Sequence, residues 1–475
     1  MPDIKYVVFS DLHMGAENSL MTNLKYDTPQ TDTTKPSPVM VAMIDCLRQL
    51  IGKNEDKSTK PKLILNGDLI ELALTSTNRA CMAFQRFIEL CFPPNEEDFL
   101  FDKEIVFLPG NHDHNLWEIA RHTWYMDILR KIKPGDYVPN ELHSTKIFHP
   151  EKIKSLFLNS LIECYPHLKD VSVNVIYPAY GLIKKDHSKC VLFFHGHYSE
   201  SMYWAMTNFR SDIFPDRQQP MTFEEIEIEN YAWVDFFWST LGRSGSVGKD
   251  INLIYDKLQD STEVNQMISN IADSLTKRKR NFITRYLERK ALKFVLTASL
   301  GKMAANERNE PDVDLTPEVK AGLKRLMEVP LFNQLNKELQ NDIPDDITFL
   351  FGHTHKPFMK WFHPQGYPNP LKVINTGGWV VDTLSEQPLH GGSIGLIDEE
   401  LNAITLEMYK EGNFKPTPGW LTHDHTHDPT HNDFLNKINQ IIKTEPEPWL
   451  AFETIVEKEV HVRYRNLEEI IKEKD

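Results

Sequence analysis

The sequence predicts an α/β fold built around strongly buried β-structure. Short apolar runs rich in Val, Ile, Leu and Phe recur along the chain, and each ends in a polar cluster. Longer segments with the apolar spacing of an amphipathic helix lie between these runs. Such runs are typical of buried strands, and their alternation with helices is typical of sheets that helices cover. The length of 475 residues suggests about two or three globular units.

Eight apolar runs are predicted to be strands, and two of the segments between them are predicted to be helices. The strands are residues 6–10, 63–66, 105–108, 190–194, 347–351, 371–375, 393–397 and 403–409. The last two alternate between apolar and polar residues, which indicates antiparallel strands that close the unit. Helical spacing is clearest at residues 40–51 and 79–92.

Residues 199–346 interrupt the pattern and are predicted to form a mostly helical insert or cap. Thr222 and Glu225 have the spacing of a capping box, and Thr316 followed by Pro317 marks another helix start. The α/β unit is therefore predicted in two parts, residues 1–198 and 347–413. Residues 414–475 are predicted to form a C-terminal extension that ends in a charged, helical segment.

Side chains that bind metal ions follow five of the predicted strands at the point where each strand ends. These side chains are Asp11, His13, Asp68, Asn111, His195, His353 and His355. Ligands of open α/β sheets gather beyond the carboxyl ends of the strands, so we expect the five segments to meet at one rim. A strand-like backbone is expected in Asp11-x-His13 and in the His-x-His pairs, so both members of each pair should point to the same side. Glycines before Asp68, Asn111 and His353 are expected to permit tight turns.

The residue types of this set favour a pair of transition metals. Carboxylate and imidazole together suit Mn, Fe or Zn better than Mg or Ca alone. The set is too large for one tetrahedral zinc and large enough for two ions that share a carboxylate. Ions about 3.5–4 Å apart hold a bridging hydroxide and clamp a phosphate for in-line attack. Each motif alone is compatible with a turn or a core histidine, but the five in this order indicate one site.

The ordered motifs resemble those of the calcineurin-like metallophosphoesterase superfamily. The motifs are Asp11-x-His13, Gly67-Asp68-x-x-Glu71, Gly110-Asn111-His112-Asp113, His195 and Gly352-His353-x-His355. The resemblance covers residues 4–114, 190–198 and 347–380. It implies an αββα sandwich with two metal ions at the rim of the sheets, and a metal-dependent hydrolase that cleaves a phosphoester or pyrophosphate bond.

The resemblance also implies a role for each motif residue. Asp11, His13 and His355 would hold one ion, Asn111, His195 and His353 would hold the other, and Asp68 would bridge them. His112 would protonate the leaving oxygen or bind the phosphate. Glu71 is expected to orient His112, and Asp113 is the alternative for that role. His197 is also predicted to contact the substrate. The position of Trp379 after Asn375-Thr376-Gly377-Gly378 places it near the rim, where it either contacts the substrate or packs at a strand end.

A more distant likeness is to the UDP-2,3-diacylglucosamine pyrophosphatases of lipid A synthesis. It rests on the Gly67-Asp68-Leu69-x-Glu71 motif and on the position of the insert between His195 and His353. Those proteins are shorter and carry Arg where this chain has His112. The chain is closer in this respect to members of the superfamily that keep the histidine.

The insert carries an aromatic set and a basic run, and each has two interpretations. The aromatic residues are Tyr203, Trp204, Phe209, Trp233, Phe236, Phe237 and Trp238. They either pack the insert onto the α/β unit or line a pocket for an acyl chain. The basic residues are Lys277, Arg278, Lys279, Arg280, Arg285, Arg289, Lys290 and Lys293. They form either a solvated helix face or a contact with anionic lipid or phosphorylated substrate.

The net charge of -15 argues against nucleic acid as a partner, so we expect a phosphorylated small molecule or lipid as substrate. Five scattered cysteines and the lack of a long apolar run favour a cytoplasmic protein, with peripheral membrane contact through the insert as an alternative. His423, His425, His427 and His431 in the tail either bind metal or belong to a loop. The alternative functions are a metal-bound interaction scaffold on the same fold and a nuclease.

Overall fold

Two β-sheets face each other in the computed structural model, and helices cover the outer side of each sheet. The structure describes residues 2–25, 28, 30–235, 313–419 and 432–472. The layers therefore follow the order helix, sheet, sheet, helix, as the αββα prediction requires.

The first sheet has eight strands in the order β13-β12-β11-β1-β2-β3-β5-β4. Its strands are β1 (Ile4–Phe9), β2 (Lys62–Asn66), β3 (Glu104–Leu108), β4 (Ile153–Lys154), β5 (Ser172–Val175), β11 (Gly391–Asp398), β12 (Ala403–Lys410) and β13 (Thr417–Gly419). Strands β1, β2, β3 and β5 run parallel, and β11 to β13 continue the sheet in antiparallel fashion. The carboxyl ends of β1, β2 and β3 therefore lie along one edge.

The second sheet has five strands in the order β6-β7-β8-β10-β9. Its strands are β6 (Ala179–Ile183), β7 (Lys189–Phe194), β8 (Asp346–Phe351), β9 (Phe358–Phe362) and β10 (Leu371–Asn375). Strands β7, β8 and β10 are parallel, while β6 and β9 are antiparallel edge strands. Strands β7 and β8 are thus direct neighbours, although the whole insert separates them in sequence.

Alternate residues along each central strand bury their side chains in different layers. In β1, Val7 and Phe9 join the core under the helices, whereas Val8 joins the core between the sheets. In β7, Val191 and Phe193 face the first sheet. Because both faces of the central strands are buried, their sequences are almost continuously apolar, which is why they could be recognised.

The helices of the first layer are amphipathic and pack on the first sheet. They are α1 (Pro38–Ile51), α2 (Thr77–Cys91), α3 (Asn115–Leu129) and α4 (Leu156–Ile162). Helix α1 begins where Ser37 accepts a hydrogen bond from the Val39 amide, with proline in the first turn. In α2, the buried Ala80, Phe84, Phe87 and Ile88 recur at helical spacing.

The insert between β7 and β8 contributes helices to the outer face of the second sheet. The described helices are α5 (Ala205–Ile213), α6 (Phe223–Val234), α7 (Pro317–Leu326), the π-helical segment Met327–Leu331 and α8 (Phe332–Leu339). Thr222 and Glu225 form the capping box of α6, and Thr316 caps α7, as predicted. The boundaries of the domains remain predictions. Phe236, Phe237, Trp238 and the basic run from Lys277 to Lys293 lie outside the described residues.

Three described members of the aromatic set, Tyr203, Trp204 and Trp233, pack inside the insert. Tyr203 and Trp204 are buried in the core under the second sheet, and Trp233 packs against that core. The Trp204 indole N–H donates to the Tyr198 carbonyl, and that of Trp233 donates to the Met202 carbonyl. These contacts favour the packing interpretation for this part of the set.

The C-terminal extension is part of the first helical layer. It contains α9 (Asp433–Thr444) and α10 (Glu447–Lys472), and α10 packs along α1. Phe452, Val456 and Val460 of α10 are fully buried. The histidines at positions 423, 425, 427 and 431 lie outside the described residues. Among the described helices, none is long and apolar enough to cross a bilayer.

We predict that Phe452→Ala destabilises the protein, because the fully buried ring belongs to the same core as the first sheet. Truncating a buried phenylalanine costs about 3–5 kcal/mol. Leu450→Ala, on the exposed side of the same helix, should change stability by less than about 0.5 kcal/mol. Chemical denaturation of both variants checks this. Equal, small effects would show that α10 does not contribute to the core.

Candidate metal centre

The loops after five strands bring the candidate ligands together at one edge of the two sheets. Asp11 and His13 follow β1, Asp68 follows β2, Asn111 follows β3, His195 follows β7, and His353 and His355 follow β8. All seven side chains are buried. Ligand atoms of Asp11, His13 and His355 lie within 4.8 Å of one another, and so do those of Asp68, His195 and His353. The structure therefore contains two adjacent groups that could each hold an ion.

The backbone of these loops is not extended, so that part of the sequence interpretation is wrong. Asp11 and His13 have φ values of 52° and 44°, and Asp68, His353 and His355 are also in the left-handed region. Backbone hydrogen bonds hold two of these turns, from the Asp11 amide to the Gly67 carbonyl and from the His13 amide to the Asp68 carbonyl, both 2.9 Å. Non-glycine residues in this conformation cost about 1–3 kcal/mol each and cluster at functional sites.

Two glycines allow the neighbouring loops to approach closely. Gly67 has a φ of 90°, and a Cβ there would lie 2.1 Å from His195 Nδ1. A Cβ on Gly110 would lie 2.3 Å from Asp68 Oδ1. Because these glycines lack a side chain, they allow the ligand loops to pack closely and also allow the chain to turn tightly.

Asp68 lies between the two groups. Its Oδ1 accepts a hydrogen bond of 2.8 Å from the His112 amide. Its Oδ2 is buried without a hydrogen-bond donor among the described residues, 3.2 Å from His195 Nε2 and 3.7 Å from His13 Nε2. Burial alone would raise the pKa of Asp68, but the charges of His195 and His112 outweigh it and hold the pKa well below its usual range. An ionised carboxylate oxygen that faces an imidazole nitrogen from each group fits a carboxylate that bridges two cations.

In three of the candidate histidines, Nδ1 lies within hydrogen-bond distance of an acceptor. His13 Nδ1 lies 2.9 Å from Glu71 Oε2, His195 Nδ1 lies 3.2 Å from the Asn66 carbonyl, and His355 Nδ1 lies 3.3 Å from Asp382 Oδ2. A proton on Nδ1 leaves the lone pair of Nε2 for a metal ion.

The Nε2 atoms of these rings face the candidate ligands. His13 Nε2 lies 3.3 Å from His355 Nε2, and His195 Nε2 lies 3.1 Å from Asn111 Oδ1. His353 has the opposite arrangement, because its Nε2 lies 3.0 Å from Glu200 Oε1 and its Nδ1 is buried without a partner in the described part of the chain. Each of the four rings thus has one nitrogen against an acceptor, and in His13, His195 and His355 the other nitrogen faces candidate ligands, which fits metal binding.

The charge state of the rings follows from burial and from the neighbouring carboxylates. Burial lowers the pKa of His13 and His353, which favours the neutral form that coordinates metal. Burial would also lower the pKa of His195, but Asp68 and Asp11 outweigh it and raise this pKa to about 9. His195 must therefore lose a proton when it binds a cation.

Glu71, rather than Asp113, contacts the ring predicted to act as an acid. Both Glu71 oxygens lie within 3.0 Å of His112 Nδ1. The Asp113 carboxylate accepts hydrogen bonds from the Gly110 and Leu69 amides, both 2.7 Å, and so joins two ligand loops. Burial and the charge of Asp68 raise the pKa of Asp113 to about 7. Glu71 therefore contacts the His112 ring, whereas Asp113 joins two loops, and the orienting role of Glu71 stays a prediction.

His197 and Trp379, predicted to contact the substrate, are both fully buried. His197 Nε2 lies 3.2 Å from the Tyr177 hydroxyl, and burial with the nearby His195 holds the pKa of His197 well below its usual range. The Trp379 ring packs against Tyr409, while its amide donates to the Asp11 carbonyl. Their contact with substrate stays a prediction.

Sequence reasoning missed Glu200, Asp382 and a buried network around Glu227. Glu227 of α6 receives hydrogen bonds from Tyr177 and Tyr198 and lies 2.7 Å from His114 Nε2. No local spacing marks these residues, because each contact joins segments that are distant in sequence or irregular. Although Glu118 is also near His114, Arg121 binds both Glu118 oxygens, so this cluster is an ion-pair network.

Comparison with known families agrees with this geometry. A family model described as calcineurin-like phosphoesterase matches residues 4–253, which is more than half of the chain. The chain belongs to the calcineurin-like phosphoesterase family. It is therefore a hydrolase that acts on phosphoester bonds, in a family that generally depends on metal ions. The matched segment contains β1 to β7 and the candidate ligands up to His195. No match was found among curated proteins.

We predict that Asp68→Asn weakens binding at both positions of this calcineurin-like phosphoesterase, because one anionic oxygen faces both groups. The loss of affinity should exceed the roughly 10–100-fold that removal of an outer contact costs. Metal content after dialysis checks this, with Asp45→Asn at an exposed carboxylate as control. Asp68→Asn protein with full metal content and unchanged activity would contradict the assignment.

Proposed function

We propose that the protein is a dinuclear phosphoesterase that hydrolyses a phosphoester or pyrophosphate bond with His112 as general acid. The observation that supports this most strongly is the buried Asp68 oxygen between two groups of oriented histidines. Asp11, His13 and His355 would hold one ion, and Asn111, His195 and His353 would hold the other. Mn, Fe or Zn suits this donor set. When bound, the two ions would supply Lewis-acid activation of water and phosphate.

The contacts of His112 support its role as an acid. The charges of His112 and His13 outweigh burial and lower the pKa of Glu71, which is therefore ionised and accepts a hydrogen bond from the Nδ1–H of His112. A carboxylate at Nδ1 stabilises the imidazolium form and fixes the ring, so that Nε2 can carry a second proton. The His112 amide is also bonded to Asp68, which ties the acid to the metal-binding loops. Donation from Nε2 to the leaving oxygen would then complete bond cleavage.

A cavity in the insert supports a small phosphorylated molecule or lipid as substrate. The cavity has a volume of about 540 Å³, and its lining includes Glu200, Met202, Trp204, Val319 and Arg325. Glu200 also contacts His353, so the cavity lies beside the candidate metal centre. Cavities of about 300–1,000 Å³ are typical of small-molecule sites. We also propose peripheral membrane contact through the insert. This proposal depends on the basic run from Lys277 to Lys293, which lies outside the described residues.

The proposal is tested by hydrolysis of chromogenic phosphate monoesters and diesters with added Mn²⁺, Zn²⁺ or Fe²⁺. We expect the wild-type protein to hydrolyse these esters and Asp68→Asn to lose this activity. Inactivity with every metal and ester, in protein that still binds metal, would favour the interaction scaffold. Cleavage of DNA in place of small esters would favour the nuclease.

We predict that His112→Asn keeps the metal content and slows hydrolysis by about 10²–10⁴-fold for esters with poor leaving groups, because these need a proton most. Esters with good leaving groups should lose much less. Steady-state kinetics over a series of aryl and alkyl phosphates checks this. Equal losses across the series would leave His112 as a phosphate-binding residue, and loss of the metal would make it a ligand.

A further inference from the structure

Glu200 lies in the insert, in the turn that follows His195. Short 3₁₀ segments, His197–Ser199 and Ser201–Trp204, flank it, and its amide donates to the His197 carbonyl. Its side chain is only 13% exposed, and Oε1 lies 3.0 Å from His353 Nε2. A carboxylate from the insert thus contacts a candidate ligand that follows β8.

This contact determines which nitrogen of His353 can face the candidate metal centre. When Nε2–H donates to Glu200, the lone pair of the neutral ring is on Nδ1. Nδ1 is buried and has no hydrogen-bond partner among the residues that the structure describes. The rings of His195 and Tyr203 pack against His353 at centroid distances of 5.2 and 5.5 Å, which limits other orientations.

The origin of the acceptor distinguishes His353 from the other candidate histidines. His13 and His355 are held by Glu71 and Asp382, and His195 by the backbone carbonyl of Asn66 at the end of β2. Those three acceptors lie in segments that carry the strands of the two sheets. Among the acceptors that the structure describes for these four rings, Glu200, which contacts His353, is the one that belongs to the insert.

The second half of the insert fixes the position of Glu200. Helix α7 packs so closely on the preceding turn that a Cβ on Gly322 would lie 1.8 Å from the Ser199 carbonyl oxygen. Any displacement of α7 would therefore move the turn that carries Glu200. The start of the insert and a helix of its second half therefore meet at this point.

We propose that Glu200 is a positioning residue for the ion held by Asn111, His195 and His353, and that the insert is thereby part of one metal site. This inference rests on the proposed metal pair. Glu200 acts through His353: its carboxylate accepts a hydrogen bond from Nε2–H, so that the ring presents the lone pair of Nδ1 to the ion. Because coupling between binding and conformation is reciprocal, the ion in turn stabilises the placement of the insert.

The test is a Mn²⁺ titration of the full chain by calorimetry, with the number of ions and the affinity of each as readouts. Glu200→Ala should weaken one of two ions by about 10–100-fold and reproduce the pattern of His353→Ala. Glu200→Gln, whose amide oxygen can still accept a hydrogen bond from Nε2–H, should recover part of the loss. Asp382→Ala should instead reproduce the pattern of His355→Ala.

Glu318→Ala is the matched control, because it removes a carboxylate that lines the same cavity. It should leave both affinities unchanged. Gly322→Ala should weaken the same ion as Glu200→Ala while retaining every candidate ligand. Electron paramagnetic resonance should show isolated Mn²⁺ in Glu200→Ala where the wild type shows a coupled pair.

Unchanged binding of both ions in Glu200→Ala would overturn the inference, and so would an equal loss of both ions. A wild-type chain that binds two ions and cleaves no ester would refute the proposed function and leave the Glu200 test intact. A wild-type chain that binds no ion would overturn both.

Discussion

The site depends on one interaction, the placement of a buried carboxylate between two groups of histidines. Asp68 Oδ2 has no donor among the described residues, and imidazole nitrogens of His195 and His13 approach it from the two groups. A buried anion is costly unless opposite charge lies beside it, so the surrounding structure must supply positive charge. Protonated rings supply part of it in the protein alone, and two divalent cations would supply it more completely. The carboxylate therefore connects the fold to the proposed chemistry.

The sandwich provides the constraint that makes this placement possible. Three ligand loops come from the first sheet and two from the second, so the packing between sheets sets the distance across the site. The loops contact one another where glycines leave room, as at Gly67 against His195. Left-handed conformations at Asp11, Asp68 and His353 are held by this packing and by hydrogen bonds. The packing that stabilises the core thus also sets the geometry of the site.

The sequence was informative where local pattern and structure coincide. The eight predicted strands lie within or overlap β1, β2, β3, β7, β8, β10, β11 and β12, because two-sided burial makes such strands apolar throughout. Strand β5, with Asn174, and the edge strand β6, with Tyr180 and Gly181, lack that signal. The left-handed turns at Asp11 and His13 were mistaken for extended backbone, since residue type alone does not reveal φ. Glu200 and Asp382 act through tertiary contacts that no local spacing encodes.

The most direct measurement is anomalous diffraction from crystals of the full chain grown with Mn²⁺. The account predicts two peaks about 3.5–4 Å apart, with Asp68 between them. One peak should lie beside His13 and His355, and the other beside His195 and His353. A single peak, or two peaks of which either lies away from Asp68, would contradict the central claim that this carboxylate joins two metal sites.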